Sequence, residues 1–227
     1  QGLIENVASG QSRLDYPLID GVQKGCPHHI LEPARTNLIQ YSEAFDNAYW
    51  VKTGSSITSN VAISPDGSLN ADKLVEGTNN GGHNIQRVEN VSNATIYTSS
   101  VFVKYGGREW IRFTDAQSSN RIHFNTLTGA FGAITGTVID YNSIALSNGW
   151  YKLSITTTSV ATAYALRVSL AEADNDVSYT GDGTSGVYIF GAMLEAGSYP
   201  TSYIPTNGTA VTRSAETANG AGNSTTF

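Results

Sequence analysis

Almost no window of this chain sustains an apolar stripe at helical spacing for three turns, because Gly, Asn, Thr and Ser break the pattern first. Helices are therefore excluded as its main building unit. Short runs alternating apolar and polar residues take their place, most clearly at 97–105, 109–115, 120–126, 150–158, 164–170 and 186–195, and more weakly at 57–63, 73–75 and 84–91. They are rich in β-branched and aromatic residues. Turn pairs such as Gly106-Gly107, Thr128-Gly129, Asn148-Gly149 and Asp182-Gly183 separate them. Regularly spaced short strands joined by Gly-rich turns predict an all-β chain, an antiparallel jelly-roll-like β-sandwich over residues 32–205. Residues 1–31 have weak periodicity and include Pro17, Gly25 and Pro27, so they are expected to form an extended N-terminal arm or collar. Residues 206–227 are small and polar, the composition of a linker or tail.

With 227 residues the chain can bury a core without covalent staples, and its single cysteine, Cys26, has no internal partner. Lys and Arg number 13 against 19 Asp and Glu, a net charge of -6, so no long-range field favours nucleic acid. Charged residues make up only 14%, well under the usual share of about a quarter, and polarity comes mostly from Ser, Thr, Asn and Gly. That mixture suits an extracellular or virion-surface protein. No apolar run is long enough to span a bilayer, so membrane insertion is not expected. The chain begins at Gln1 without the basic and apolar stretches of a signal peptide, and is read as a piece of a longer polypeptide.

Leu31-Glu-Pro-Ala-Arg-Thr-Asn-Leu38 followed by Tyr41-Ser-Glu-Ala-Phe-Asp-Asn-Ala-Tyr-Trp50 resembles a domain that recurs in tail fibres and related surface proteins of bacteriophages and prophages. Further words follow in that family's order: Pro65-Asp-Gly67, Ala71-Asp-Lys-Leu74, Val101-Phe-Val-Lys104, Asn148-Gly-Trp-Tyr151, Gly191-Ala-Met-Leu-Glu195 and Tyr199-Pro-Thr-Ser-Tyr-Ile-Pro205. The succession is also similar to the jelly-roll carbohydrate-binding modules of polysaccharide-degrading enzymes. Asn37-Leu38, Phe45-Asp46 and Trp50 match their opening, while Gly191 and Ala192 stand where their last strand often carries an Asp tied to calcium. The resemblance implies a β-sandwich on a virion surface or adhesin that attaches to cell-surface glycan or builds a fibre. Fibres of that kind are generally trimeric, so it also implies a homotrimer. The rivals are a purely structural fibre or capsid-decoration module, and a carbohydrate-binding module beside a hydrolase.

Catalytic motifs are missing from the sequence. Gly183-Thr-Ser-Gly186 is not a nucleophile elbow, there is no Walker loop or dinucleotide fingerprint, and only His28 and His29 of the four histidines are adjacent. No enzyme is expected. The loop Asp174-Asn-Asp176-Val-Ser178-Tyr-Thr180-Gly-Asp182 sets oxygens at every second residue, as a calcium-wrapping loop would, which makes Asp174, Asp176 and Asp182 candidate ligands. Tyr179 and Ser185 replace an EF-hand's turn glycine and closing glutamate, so the alternative is a solvated connection held by Asx turns. Glu43 or Asp46 with Glu195 is a second cation candidate, unless Glu195 serves backbone groups in a turn. No other cofactor is expected.

Sugar recognition needs a flat aromatic face flanked by planar polar groups. Alternation puts Trp110, Arg112 and Thr114 opposite Ile111 and Phe113, Arg121, His123 and Asn125 opposite Ile122 and Phe124, and Arg167 and Ser169 opposite Leu166, Val168 and Leu170. If these strands share a sheet, Trp110, Arg112, Arg121, His123 and Arg167 form a donor-rich groove. The alternatives are a plain solvent face or a subunit interface. Trp50 and Trp150 are expected to plug ends of the core.

Overall fold

The computed structural model describes residues 13–15, 18–19, 22–23, 26, 28–115, 117 and 119–216. Twelve strands carry the fold: β1 (Val51–Thr53), β2 (Ser55–Ile63), β3 (Leu69–Glu76), β4 (Asn84–Asn90), β5 (Ile96–Tyr105), β6 (Trp110–Asp115), β7 (Asn120–Asn125), β8 (Phe131–Thr135), β9 (Val138–Ala145), β10 (Trp150–Thr158), β11 (Ala163–Ala171) and β12 (Gly186–Ala196). Sheet one runs β8-β7-β6-β11-β4-β1 and sheet two runs β9-β10-β5-β12-β3-β2, with antiparallel pairing throughout. The chain crosses repeatedly from one sheet to the other, at β1 to β2, β3 to β4, β4 to β5, β5 to β6, β8 to β9, β10 to β11 and β11 to β12. That makes an all-β, jelly-roll-like sandwich. The helical content of the described residues is one 3-10 turn, Ser147–Gly149.

Period-2 alternation decides which side of sheet one faces in. Ile111, Phe113, Ile122 and Phe124 are fully buried, and they meet Val101, Val103, Leu153 and Ile189 from sheet two in one core. Each such side chain contributes roughly 1.5–3 kcal/mol on burial.

The centre of sheet two is covered on both sides, which explains why β5 is buried almost throughout instead of alternating. Phe102, Phe190 and Trp150 form a second apolar cluster on its outer face, capped by Tyr203. The Tyr203 ring stands edge-on to Phe102 at 5.8 Å. Lys152 Nζ donates to Thr201 O at 2.6 Å, and Thr201 Oγ1 donates to Glu195 at 2.7 Å, so the segment around 199–206 is strapped down by polar contacts as well. Gly191 permits this covering: its φ is +61°, and a Cβ there would lie 2.8 Å from the Phe102 ring.

Asn37 holds the entry of the domain to its last strand. Its amide donates to Ala192 O and Ile204 O (3.2 and 2.9 Å) and accepts from the Ile39 and Leu194 amides (both 3.1 Å), so a fully buried polar side chain uses all four bonds.

Three differences from the sequence reading matter. Trp150 does not plug the core; it packs outside sheet two with Nε1 donating to Ile63 O at 3.0 Å, whereas Trp50 lies in the core with Nε1 donating to Tyr41 O at 2.9 Å. Part of the expected polar tail is tied back, because Val211–Arg213 pairs with Arg35–Asn37 and Arg213 meets Glu32 at 3.0 Å. Part of the expected arm is tied as well, with Leu14–Asp15 paired to His28–His29 and Arg13 clamped by Glu32 and Glu216. Residues 1–12, 16–17, 20–21, 24–25, 27 and 217–227 of those segments, Pro17, Gly25 and Pro27 among them, lie outside the described residues.

Candidate functional site

Strand register assembles one face. Arg112 of β6 sits between His123 of β7 and Ser169 of β11, and Thr114 sits between Arg121 and Arg167. Trp110 extends the set at one end, between Asn125 and Ala171. The neighbouring β4 adds Asn84 beside Ser169 and Gln86 beside Arg167. Because the intervening residues are the core side of the sheet, all of these point away from the core. The five residues singled out from the sequence, Trp110, Arg112, Arg121, His123 and Arg167, thus share one surface. Asn84 and Gln86 were missed. Their alternation with Ile85 was the available signal, but Arg87 and Glu89 blur it by being polar on the core side, at its edge by Tyr49.

The face is sparsely satisfied. Arg112 Nε, Arg121 Nε, Thr114 Oγ1, His123 Nε2 and Ser169 Oγ are buried without a hydrogen-bond partner among the described residues, half of the ten such side-chain atoms found there. Each orphaned polar atom costs about 1–3 kcal/mol. Arg167 is the exception, since Gln86 Oε1 accepts from its Nε at 2.8 Å and also from Nη2. Burial, reinforced by the charges of Arg121 and Arg167, lowers the pKa of Arg112. Burial likewise lowers that of His123 and favours the neutral imidazole. His123 Nδ1 lies 3.0 Å from Ala133 O, so the neutral ring carries its proton there and Nε2 keeps a buried, unshared lone pair.

Asp174, Asp176 and Asp182 are not brought together. Asp174 accepts from the Ala133 amide at 2.9 Å, at the rim near His123; Asp176 accepts from the amide of Ser178 at 3.4 Å. Asp182 accepts from the Ser185 hydroxyl and from the amides of Ser185 and Thr184. Those bonds, the Ser185 hydroxyl first, hold its carboxyl well below the usual carboxylate range. Asp176 and Asp182 close their own turns while Asp174 ties its loop to β8, and no three His, Cys, Asp or Glu side chains converge as metal ligands among the described residues. Glu195 also serves a turn, accepting from the Thr201 amide at 2.9 Å with Arg35 at 3.6 Å.

Concave sites lie elsewhere. A cavity of about 320 Å³ is lined by Arg35, Leu38 and Tyr97, and one of about 140 Å³ by Glu43, Asp46, Asn70 and Asp72. Neither touches the Arg112 face, where Thr114, His123, Asn125 and Ser169 are buried and Trp110, Arg112, Arg121 and Arg167 are partly exposed. No helix among the described residues is long and apolar enough to cross a membrane.

No family model and no curated protein matches the chain. Solved structures give weak likenesses. One is to the CBM22-1–GH10 modules of Clostridium thermocellum endo-1,4-beta-D-xylanase 10B complexed with xylohexaose, with TM-score 0.40 and 13% identity over 75% of this chain and 30% of that one. Another is to the enzymatically active domain of bacteriophage CBA120 tailspike protein 4, with TM-score 0.41 and 14% identity over 70% of this chain and 21% of that one. A third is to the CBM22-1 xylan-binding domain of Paenibacillus barcinonensis Xyn10C, with TM-score 0.38 and 9% identity over 73% of this chain and 94% of that one. The chain spans less than a third of the first two, and likeness at this level says nothing of ligand or activity.

Proposed function

We propose that the outer face of sheet one binds a cell-surface polysaccharide without catalysis, and that the chain is an attachment module of a phage or phage-like fibre, assembled as a homotrimer on the virion surface. The observation that carries the binding reading is the gathering of the partly exposed guanidiniums of Arg112, Arg121 and Arg167 on one face with an outward, partly exposed Trp110. Sugar hydroxyls donate and accept at once, so they answer such a set. The Trp110 ring supplies the flat apolar surface for a sugar's C–H face. The attachment and trimer readings rest on the fibre-like order of sequence words from Leu31 to Pro205.

The test is binding of purified capsular polysaccharide or whole host cells by Trp110→Ala protein whose melting matches wild type. An aromatic platform is worth about 2 kcal/mol, roughly thirtyfold in affinity, so binding should fall by that order. Unchanged binding would remove this face as the site. Intact binding but monomers in place of trimers by light scattering would reassign it as a subunit interface.

A further inference from the structure

The chain has eight arginines, and five of them meet carboxylates: Arg13 with Glu32 at 2.6 Å, Arg35 with Glu195 at 3.6 Å, Arg87 with Glu89 at 2.7 Å, Arg108 with Glu76 at 2.6 Å and Arg213 with Glu32 at 3.0 Å. The three that meet none among the described residues are Arg112, Arg121 and Arg167. All three lie on the outer face of sheet one, on three consecutive strands. A shortage of acid is not the reason, because Asp and Glu outnumber Lys and Arg by 19 to 13. Like charges have been collected and left without counterions in a protein that pairs its other guanidiniums.

Their arrangement is that of a cradle. Arg121 and Arg167 flank Thr114 in one cross-strand row, so their backbones stand about 10 Å apart, two strand spacings. Arg112 lies two residues along β6 on the same face, about 7 Å away. The residues between them are small. Thr114 and Ser169 form a floor whose hydroxyls have no partner, and the long guanidinium arms rise around it. Gln86 holds Arg167 from its far side, so one arm of the cradle is fixed before any ligand arrives. Planar guanidiniums present paired N–H groups that match an oxyanion's two oxygens, whereas a neutral hydroxyl uses one donor and leaves the charge uncompensated. Asp174, at the rim near His123, is already engaged by the Ala133 amide.

We propose that the Arg112–Arg121–Arg167 cluster is an oxyanion subsite, and that the polysaccharide taken by this face is acidic, carrying carboxylate, sulfate or phosphate groups along its chain. This rests on the glycan-binding reading of the same face and narrows its ligand class. Nucleic acid, the other common polyanion, fits less well, since the chain is net negative and its unpaired arginines form one compact cluster, not a stripe that tracks a phosphate backbone.

The experiment compares matched probes on the intact protein: polygalacturonate with its methyl ester, dextran sulfate with dextran, phosphomannan with mannan, and a single-stranded oligonucleotide. It is run on wild type, on Trp110→Ala, and on an Arg112→Gln/Arg121→Gln double variant, which breaks no side-chain hydrogen bond among the described residues. In parallel, melts are recorded with glucuronate or glucose phosphate against glucose, which reads the subsite whatever the sugar backbone. At least one acidic probe should bind tenfold or more tighter than its neutral match, and the three pairs identify the group. The double variant should erase that preference and the uronate- or phosphate-dependent rise in melting temperature, while Trp110→Ala weakens acidic and neutral members alike. Equal binding within every pair, or a preference the double variant keeps, overturns the proposal and leaves the glycan reading standing. No melting shift with any anion, together with no binding of any polysaccharide, overturns both. Oligonucleotide binding as tight as the best acidic glycan overturns the assignment to a polysaccharide.

Discussion

Replacing two arginines in turn with methionine, of similar length, should move stability in opposite directions. Arg108 donates through Nε and Nη2 to Glu76 at 2.9 and 2.6 Å, and Glu76 is 1% exposed while also accepting from the Tyr179 hydroxyl at 2.7 Å and the Asp182 amide at 2.9 Å. Arg108→Met leaves that carboxylate buried without its cation, which costs about 3–5 kcal/mol. For a chain of this size each kcal/mol moves the melting temperature by about 2–4 °C, so the loss is roughly 6–20 °C. Arg112 has no such partner. Its Nε is orphaned, at about 1–3 kcal/mol, and two like charges at roughly 8 Å repel by about 2 kcal/mol each at an effective dielectric constant near 20, before salt screening. Lost packing of the arginine stem offsets part of the relief. Arg112→Met should therefore gain about 1 kcal/mol, raising the melting temperature by roughly 2–4 °C. The assay is urea unfolding with calorimetry, since guanidinium chloride would screen the repulsion. A loss of about 3 kcal/mol for Arg112→Met, comparable to Arg108→Met, would refute the view that Arg112 is held at a cost to the fold.

The clamp between the chain's two ends gives a pH signature. Arg13 holds the Glu216 carboxyl below its usual 4.5, so the stability it contributes is fully present above that value and lost as pH falls through the lower folded one; Glu216→Gln should shrink the acid-side loss seen in urea melts. Calcium should leave melting unchanged and EDTA likewise, because Asp174 is tied to β8 while Asp176 and Asp182 close separate turns; a reversible rise abolished by Asp176→Ala would show that they converge on a cation.

The strands that the sequence made readable are those in which apolar and polar residues alternate. β6, β7 and β11 alternate cleanly because every second residue enters the core, and their outward residues followed at once. What alternation could not supply was neighbourhood. β11 follows β6 by about fifty residues in sequence yet pairs with it directly, and only that pairing places Arg167 across Thr114 from Arg121. β8 and β9 escaped notice because edge positions relax the pattern, and most of Val138–Ala145 is exposed. Trp150 misled for the opposite reason. A strand buried on both faces has no informative period, and the covering segment around Tyr203 comes from far along the chain. The unpaired state of three arginines was equally invisible, since it depends on where every carboxylate ends up.

An acidic chain with a basic face is less odd once the positions of its acids are traced. Several carboxylates work inside the fold or at its seams: Glu76 anchors Arg108, Glu195 holds Arg35 and the 199–206 strap, and Glu32 joins Arg13 to Arg213. The strap occupies the outer side of sheet two, while the outer side of sheet one carries the Arg112 cluster. On that face the outward positions of three adjacent strands carry Arg, Thr, Ser, Asn and His, with no Asp or Glu among them. A net charge of -6 repels a polyanion at long range, but that field is screened beyond about 8 Å at physiological salt. The guanidiniums act inside that distance. Salt then works on two rates at once, easing approach by screening the repulsion and hastening departure by weakening the contacts. Selection for acidic ligands would accordingly lie in how long they stay, which is set by the geometry of Arg112, Arg121 and Arg167 over Thr114 and not by the charge of the whole molecule.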